Sequence, residues 1–581
     1  MLDPLIVILV CVIVIALTTA VSPRLGVAGP LLLVAIGAVV SMMPFVSIPL
    51  INPEFILVGV LPPLLYSSAV SLPAIEFRRD FRPIAGLSVL LVLLSSIALG
   101  AFFYFLIPGL GLALSLGLGA ILSPTDAVAT TIAKRLGISP RVITMVEGES
   151  LLNDATALVL LRTAVAAFVV GTLSWGDAIG AFVWGVLIAI VIGAIVGYLN
   201  LRVRERVSNS AANTALSFVV PFIAYLPTEH LGGSGLVAAV VAGIVTGQGA
   251  ARRFTPEQRL SDELNWRTIE LMLEGAVFLI MGLELKDIVV ANVKDHEGIW
   301  HAIWLAAVAL GIVLAVRALY VSVLLWLQSR RARSAQRERL TAFQERLDSG
   351  TLQPGTAEAL ARGRFRPADP ERQEKWLAVG RTRVSRALAD LDYYQASPLG
   401  WRHGTIIVWA GMRGVVTLAA AQTLPSDAPS RPLLVFIAFL VAAGSLLLQG
   451  LTLPAVARML GLVGSGRGGL STQEQQSLDE ELRQAAATAL TKNRITRRDG
   501  SEFPEGFVQK MGDRFTTPPD DDTNATGRDM IELRLAMIGA MRNRLNQLSS
   551  DGTFSTAVLR HSLAELDADE ISIQLRLDDQ D

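Results

Sequence analysis

At residues 147–156 the sequence reads EGESLLNDAT, and the largely apolar run that follows continues to about Val170 without a proline or a further glycine. This pattern predicts one membrane-spanning helix that carries three carboxylates, Glu147, Glu149 and Asp154, in its first half. A charged side chain near the centre of a bilayer costs about 2.5–3.5 kcal/mol on insertion scales, so such residues are kept mainly where they have a function. Asp154 is therefore a candidate site for an ion or a proton.

Helical spacing places the polar side chains of this segment on two neighbouring faces. Ser150 and Asp154 are four residues apart and project to one side, while Glu149 and Asn153 project to the adjacent side. The first face offers a hydroxyl and a carboxylate to a small, hard cation. The second face offers a carboxylate and an amide, which would hold the site together.

The composition of the whole chain fixes its class. The 581 residues are 52% hydrophobic and 17% charged, and apolar runs repeatedly reach the length of about 20 residues that spans hydrocarbon. The chain is thus predicted to be an all-α polytopic membrane protein in contact with lipid. Its formal net charge of -1 is distributed over short loops, one long loop and the tail, which gives no indication of a nucleic-acid partner.

The N-terminal apolar run contains the single cysteine, Cys11, so a disulfide within the chain and a cysteine-based metal site are excluded. The residues before this run lack the basic segment of a signal peptide, and no persuasive cleavage site follows it. We therefore expect residues 5–21 to be a retained first helix.

Hydropathy predicts thirteen transmembrane spans. Arginine and lysine are concentrated in the loops after odd-numbered spans, which by the positive-inside rule places the N-terminus outside and the C-terminus in the cytoplasm of a bacterial inner membrane. The predicted spans are about 5–21, 27–45, 53–72, 83–107, 111–133, 143–170, 177–199, 212–228, 232–249, 268–285, 299–327, 404–424 and 431–460.

Two of these spans are interrupted near their middle. The fifth contains Ser123-Pro124-Thr125-Asp126 and the twelfth contains Gly411-Met412-Arg413-Gly414. Proline removes a backbone donor and glycine loosens the helix, and a bilayer tolerates such breaks only beside protein or water. If the first six and the last six spans are inverted repeats, the breaks correspond, which predicts a transporter binding site at the membrane midplane.

Four strings together are similar to the monovalent cation:proton antiporter family, that is, the bacterial NhaP-type and animal NHE-type sodium/proton exchangers. They are EGESLLNDATALVL, the upstream SPTDAVA, GLEL near residue 284 and GMRGVV in the twelfth span. The resemblance covers roughly residues 5–460. It implies a homodimer of thirteen-span protomers with crossed broken helices.

The resemblance also implies roles for individual residues. Asp154 would take the cation or the proton, and Asn153 would mark the electroneutral branch of the family. Glu149 would pair with Arg413, and an unpaired guanidinium at that depth independently requires a carboxylate partner. The site would be lined by Thr125, Asp126 and Ser150. The ligands of Na⁺ or K⁺ would be Asp154, Ser150 and Thr125.

The third span departs from the family pattern. Relatives often carry a glutamate where this chain reads Leu64-Leu65-Tyr66-Ser67-Ser68. Either Ser67 is a weak substitute ligand, or that wall of the site is built differently.

Architectural interpretations stay open for several polar residues. Asp126 is equally consistent with an N-cap of the half-helix that follows it, and Thr125 and Ser150 with hydrogen bonds between helices. Glu270 and Glu274, four residues apart in the tenth span, either line a cytoplasmic funnel or cap neighbouring helices.

A mechanism follows from the chemistry of a buried carboxylate. Burial favours the protonated form of a carboxyl group and a bound cation favours the ionised form, so proton and cation compete for Asp154. Because Asn153 does not titrate, exchange of one cation for one proton is the simplest stoichiometry. The sequence thus predicts a non-enzymatic, secondary-active Na⁺/H⁺ antiporter without cofactors, with K⁺ or Li⁺ as other candidate cations.

Two other functions are compatible with the sequence. A K⁺/H⁺ antiporter of the same fold would agree with the missing third-span glutamate. A gated cation channel or a sensory membrane protein would use the broken helices as a pore and would show no proton coupling. An intramembrane hydrolase is disfavoured because Ser150 has no histidine or lysine base in its span.

We predict a transmembrane domain over residues 1–460, with a cytoplasmic insert at 328–403, and a cytoplasmic tail over 461–581. The insert is charged and helix-prone, which suits a solvated surface, an amphipathic hairpin on the inner leaflet or a small regulatory element. In the tail, helical patterns at about 472–492, 527–549 and 554–568 indicate a regulatory or dimer-stabilising role.

Overall fold

The computed structural model describes residues 4–25, 27–43, 54–126, 128–170, 175–294, 298–331, 390, 393–394, 399–464, 472–491, 497, 501 and 524–578. Over these ranges the secondary structure is helical, without strands. The predicted all-α class is therefore confirmed. The chain divides into two compact units, one formed by residues 1–325 and 399–467 and the other by residues 326–398 and 468–581.

The first unit begins with short and long helices that carry the first ten predicted spans. They are α1 (Pro4–Leu25), α2 (Gly29–Ser41), α3 (Leu61–Ser71, preceded by a π-helical turn at Phe55–Val60), α4 (Ala74–Arg79), α5 (Phe81–Ala85), α6 (Leu91–Leu106, preceded by a π-helical turn at Gly86–Leu90), α7 (Gly111–Leu122), α8 (Val128–Arg135), α9 (Pro140–Val170), α10 (Trp175–Arg204), α11 (Ser210–His230), α12 (Gly235–Arg253) and α13 (Pro256–Leu283).

Helix α14 (Leu285–Lys294) follows the tenth predicted span. The remaining predicted spans are carried by α15 (Ile299–Arg331), α16 (Trp401–Trp409), α17 (Val415–Gln422) and α18 (Arg431–Met459). Most of the predicted insert at 328–403 lies outside the described residues.

Helices fall on all of the predicted spans, and the two interrupted spans appear as the helix pairs α7–α8 and α16–α17. Among the described residues, seven helices are long and apolar enough to cross a membrane, and four shorter apolar helices accompany them. The chain is thus a membrane protein with many apolar helices. The count of thirteen crossings and the inverted repeat stay predictions.

Helix α13 starts well before the predicted tenth span because a capping box fixes its N-terminus. The Thr255 hydroxyl accepts a hydrogen bond from the backbone N–H of Gln258 at 3.3 Å, and the Gln258 side chain accepts one from the backbone N–H of Thr255 at 3.1 Å. The two bonds satisfy donors that a helix start leaves unpaired. The polar first turns of α13 therefore continue directly into its apolar part.

A close approach between α2 and α13 fixes the position of α13 in the membrane unit. A Cβ atom on Gly37 would lie 2.5 Å from the carbonyl oxygen of Leu279 and 2.9 Å from the Cα atom of Gly282. Only glycine allows the two backbones to pack at this distance. Helix α2 therefore packs directly against the C-terminal part of α13.

The second unit contains α19 (Thr472–Thr491), α20 (Asn524–Asp551) and α21 (Thr556–Asp578), which match the three helical patterns in the tail. Arg542 of α20 forms ion pairs with Asp567, at 3.1 Å, and with Glu570 of α21. Arg544 of α20 pairs with Glu481 of α19 at 2.7 Å. The three helices are thus joined by charged contacts as well as by buried apolar residues such as Leu533 and Leu545.

Candidate functional site

The two interrupted helices meet at their breaks. Helix α7 ends at Leu122 and α8 begins at Val128, while α16 ends at Trp409 and α17 begins at Val415. The backbone N–H of Asp126, in the first break, donates a hydrogen bond of 2.7 Å to the carbonyl oxygen of Met412, in the second. Backbone groups that the breaks release from their own helices thus pair with each other.

Arg413 binds the carbonyl groups that both breaks expose. Its Nε donates to the oxygen of Leu122 at 3.1 Å and its Nη2 to the oxygen of Ser123 at 3.5 Å, and a further bond goes to the oxygen of Gly411. The Arg413 side chain is fully buried. A guanidinium at the C-terminal end of α7 satisfies carbonyls that have no partner within the helix.

Glu149 does not pair with Arg413, and that prediction is wrong. Its carboxylate forms a bidentate ion pair with Arg317 of α15, with Nη2 of Arg317 at 2.7 Å from Oε2, and both side chains are buried. Arg317 also donates to the carbonyl oxygen of Ile407, near the end of α16, at 3.0 and 2.9 Å. The sequence signal for this pair was the arginine in the eleventh span, which also needs a partner at that depth.

The face of α9 that carries Glu149 and Asn153 holds the first break. The Asn153 amide donates to the Thr125 hydroxyl at 2.7 Å, and that hydroxyl donates to Oε1 of Glu149 at 3.4 Å. All three side chains are buried. This agrees with the holding role expected of that face, and it leaves one lone pair of the Thr125 hydroxyl for another contact.

The other face of α9 borders a cavity of about 230 Å³. Ser150 and Asp154 line it from α9, and Thr125 and Asp126 line it from the first break. Asp154 is only 7% exposed. The structure thus brings together four of the residues that the sequence indicated, with Gly414 and Thr417 of the second break closing the wall beside them.

Asp126 both accepts a hydrogen bond at the start of α8 and lines the cavity. Its Oδ1 accepts a hydrogen bond of 3.3 Å from the backbone N–H of Val128, at the start of α8, and the side chain also lines the cavity. A Cβ atom on Gly414 would overlap the Asp126 carboxylate. Glycine at 414 is therefore required for the carboxylate to sit between the two breaks.

Helix α13 contributes two carboxylates that the sequence left undecided. Glu270 and Glu274 both line the cavity, so of the two interpretations the funnel-lining one agrees with the structure. Ser67 is absent from the cavity wall and instead donates a hydrogen bond to Glu270, while Ser68 and Ser71 of α3 line the cavity. Ser67 of the third span is therefore linked to the cavity by its hydrogen bond to Glu270 of the tenth span.

An ion pair between Lys134 of α8 and Glu147 of α9 also borders this cavity. The Lys134 side chain is 57% exposed, which places it at the solvent side of the cavity. Carboxylate and hydroxyl oxygens are the ligands that small hard cations prefer. The cavity therefore has an entrance with a neutral ion pair and an interior rich in oxygen ligands.

Comparison with known proteins identifies the family. The family described as "Sodium/hydrogen exchanger, transmembrane" matches residues 10–353 and 377–459. The uncharacterized Na(+)/H(+) exchanger YjcE of Escherichia coli (strain K12) is 29% identical over 567 residues, covering 92% of this chain and 88% of that protein. The Na(+)/H(+) antiporter ApNhaP of Aphanothece halophytica is 27% identical over 441 residues, or 75% of this chain and 70% of that protein.

Two further relatives bear on ion choice and on fold. The sodium, potassium, lithium and rubidium/H(+) antiporter of Bacillus subtilis (strain 168) is 30% identical over 304 residues, covering 50% of this chain and 45% of that protein. The structure of the sodium proton antiporter MjNhaP1 from Methanocaldococcus jannaschii at pH 8 aligns with a TM-score of 0.53 at 13% identity, over 78% of this chain and 97% of that one. The fold is thus shared with a solved antiporter, and the family match extends over most of the membrane unit. The chain belongs to the sodium/hydrogen exchanger family of membrane transporters.

Proposed function

We propose that this protein is a secondary-active antiporter that exchanges one Na⁺ for one H⁺ at Asp154 by alternating access. The observation that carries the proposal is the position of Asp154, a buried carboxylate that borders a cavity where two broken helices meet. Burial favours its protonated form and a bound cation its ionised form, so each ligand displaces the other. Family membership supports antiport as the overall activity.

The surroundings of Asp154 support an electroneutral cycle. Glu149 is neutralised by Arg317 in a bidentate pair, and Asn153 cannot titrate. Neither neighbour on the helix therefore adds an exchangeable charge. One cation for one proton then moves no net charge, and concentration gradients alone would drive transport.

Potassium is the second candidate cation. It is favoured by the third span, which lines the cavity with Ser68 and Ser71 and with leucines but supplies no carboxylate there. A Bacillus subtilis relative named for sodium, potassium, lithium and rubidium supports the same alternative. The fold and the exchange residue would be unchanged.

The topology is proposed with the function. We infer thirteen crossings with inverted repeats, the N-terminus outside a bacterial inner membrane, and the insert and tail in the cytoplasm. Lys134 lies at the C-terminal end of α8, next to a loop that is predicted to be cytoplasmic, so the cavity would open inward in this conformation. We further propose a homodimer that serves pH homeostasis, with the tail in a regulatory or dimer-stabilising role.

Dissipation of a pH gradient in vesicles reconstituted with the purified protein tests this function. Addition of NaCl, KCl or LiCl to the wild type is expected to collapse the gradient, at a rate unchanged when valinomycin and K⁺ clamp the voltage. Asp154→Asn keeps the size of the side chain but removes the exchangeable charge, so it is expected to lose cation-dependent exchange. Asp287→Asn, on the exposed side of α14, is the matched control and is expected to behave as the wild type.

Three results would contradict the proposal. Exchange in Asp154→Asn at the wild-type rate would remove Asp154 from the mechanism. Rates that change with the voltage clamp would contradict the one-for-one stoichiometry. Cation conductance without proton movement would favour the channel alternative.

A further inference from the structure

Helix α13 presents two glutamates to the cavity, and their surroundings differ. Glu270 accepts a hydrogen bond from Ser67 of α3, which anchors its carboxylate to the neighbouring helix. Glu274, one turn further along α13, lines the same cavity. It is more exposed than Glu270, so its carboxylate is accessible from the cavity.

The cavity wall carries more carboxylates than basic side chains. Asp126 lines it together with Asp154 and Glu274. Lys134 is the one basic residue among the described residues that line the cavity, and its charge is matched by Glu147 at the entrance. The carboxylates that line the interior therefore attract a cation that enters the cavity.

Asp154 supplies an independent sign that a ligand belongs in this cavity. Its carboxylate is more than nine-tenths buried and borders the cavity. A buried carboxylate in such surroundings is stabilised by a cation or by its own proton. A cation that enters the cavity thus meets charge from α9, from the first break and from α13.

Building on the proposed antiport, we propose that Glu274 binds the transported cation from the α13 wall of the cavity and sets the preference among alkali cations. Discrimination among alkali cations depends on the number and field strength of the coordinating oxygens. A carboxylate has a stronger field than an amide or a hydroxyl, so it favours small Li⁺ and Na⁺ over K⁺. Glu274 thereby supplies a charged ligand on the side of the cavity where the third span has serines.

The experiment compares Glu274→Gln with Glu263→Gln in the same proteoliposomes. Loss of one charge-assisted contact to a cation is worth about 1.5–3 kcal/mol, so Glu274→Gln is expected to raise the apparent KM for Na⁺ and Li⁺ by roughly tenfold or more. The KM for K⁺ is expected to change less, so the preference for Na⁺ over K⁺ falls. Glu263→Gln lies on the same helix, at an exposed position outside the cavity wall, and it is expected to keep the wild-type ratio of KM values.

Two additions separate binding from folding and from turnover. Stabilisation of the purified protein against heat by increasing NaCl reports sodium binding without transport, and its midpoint is expected to shift upward in Glu274→Gln. Glu274→Asp retains the charge on a shorter side chain, and an intermediate KM is expected for it. This variant also tests the proposal if Glu274→Gln fails to fold.

The outcomes distinguish this proposal from the proposed function. Wild-type exchange together with unchanged KM values and unchanged sodium stabilisation in Glu274→Gln overturns the role of Glu274 and leaves the antiporter intact. A fall in maximal rate with unchanged KM also overturns it, because Glu274 would then act in the conformational cycle. Absence of exchange in the wild type overturns both.

Discussion

The buried pair between Glu149 and Arg317 gives a prediction whose size follows from the structure. Both side chains are nearly inaccessible, and Arg317 additionally donates two hydrogen bonds to the carbonyl of Ile407. Removing one partner of a buried ion pair leaves an uncompensated charge and typically costs about 3–5 kcal/mol of folding free energy. We expect a loss of about that size for Glu149→Gln and for Arg317→Met.

The double variant is decisive, since it removes both charges at once. If the two residues interact as the geometry shows, the folding free energy lost in the double variant is smaller than the sum of the two single losses. The difference should be at least about 2 kcal/mol. Reversible unfolding of the purified protein in mixed detergent micelles, followed by tryptophan fluorescence, gives the three free energies. Pairing Glu149→Gln with Arg413→Met instead should give a much smaller coupling, because those residues share no ion pair in the structure.

A second ion pair of the same residue types serves as the control. Arg544 and Glu481, which lie outside the predicted spans, are 2.7 Å apart, with side chains 34% and 42% exposed. Solvated pairs contribute about 0–1 kcal/mol, so Arg544→Met should cost little. Additive losses for Glu149→Gln and Arg317→Met, or a control loss as large as theirs, would refute the reasoning.

Two further predictions concern the breaks and the tail. Gly414→Ala places a methyl group in the space of the Asp126 carboxylate, so it should lower the exchange rate at least about tenfold and destabilise the fold by about 1–3 kcal/mol. In Gly444→Ala the added Cβ meets no atom within 4 Å, so this variant should keep the wild-type exchange rate and stability in the same vesicle and unfolding assays. Arg542→Ala removes two ion pairs to α21 and should speed hydrogen exchange of α20 and α21 in the full-length protein by roughly tenfold, with exposed His561→Ala as the unaffected control.

The positions of the membrane helices were largely readable from the sequence. Hydropathy located them because lipid requires long apolar runs, and proline and glycine located the two breaks because they disrupt backbone pairing. Helical spacing also separated Ser150 and Asp154 from Glu149 and Asn153. The structure shows the first pair on the cavity and the second pair in contacts that hold the break.

Partner choice was not readable in the same way. Arg317 and Arg413 each lie within an apolar run and each needs acceptors, but periodicity does not tell which one reaches Glu149. That depends on how α15 packs beside α9 and on which carbonyls the breaks release, and both are tertiary properties. The same limit applies to Ser67, whose hydrogen bond to Glu270 depends on the packing of α3 against α13.

The hydrogen bonds between the two breaks have a mechanical consequence. Separating the breaks would strip the Asp126 N–H of its acceptor and the buried Arg413 side chain of two of its carbonyls. Each unpaired group in hydrocarbon costs several kcal/mol, so the joined breaks resist deformation much more than the surrounding helix contacts do. In the proposed alternating-access cycle, the two joined breaks are therefore expected to move together as one stiff body, with sliding along the outer surfaces of that body.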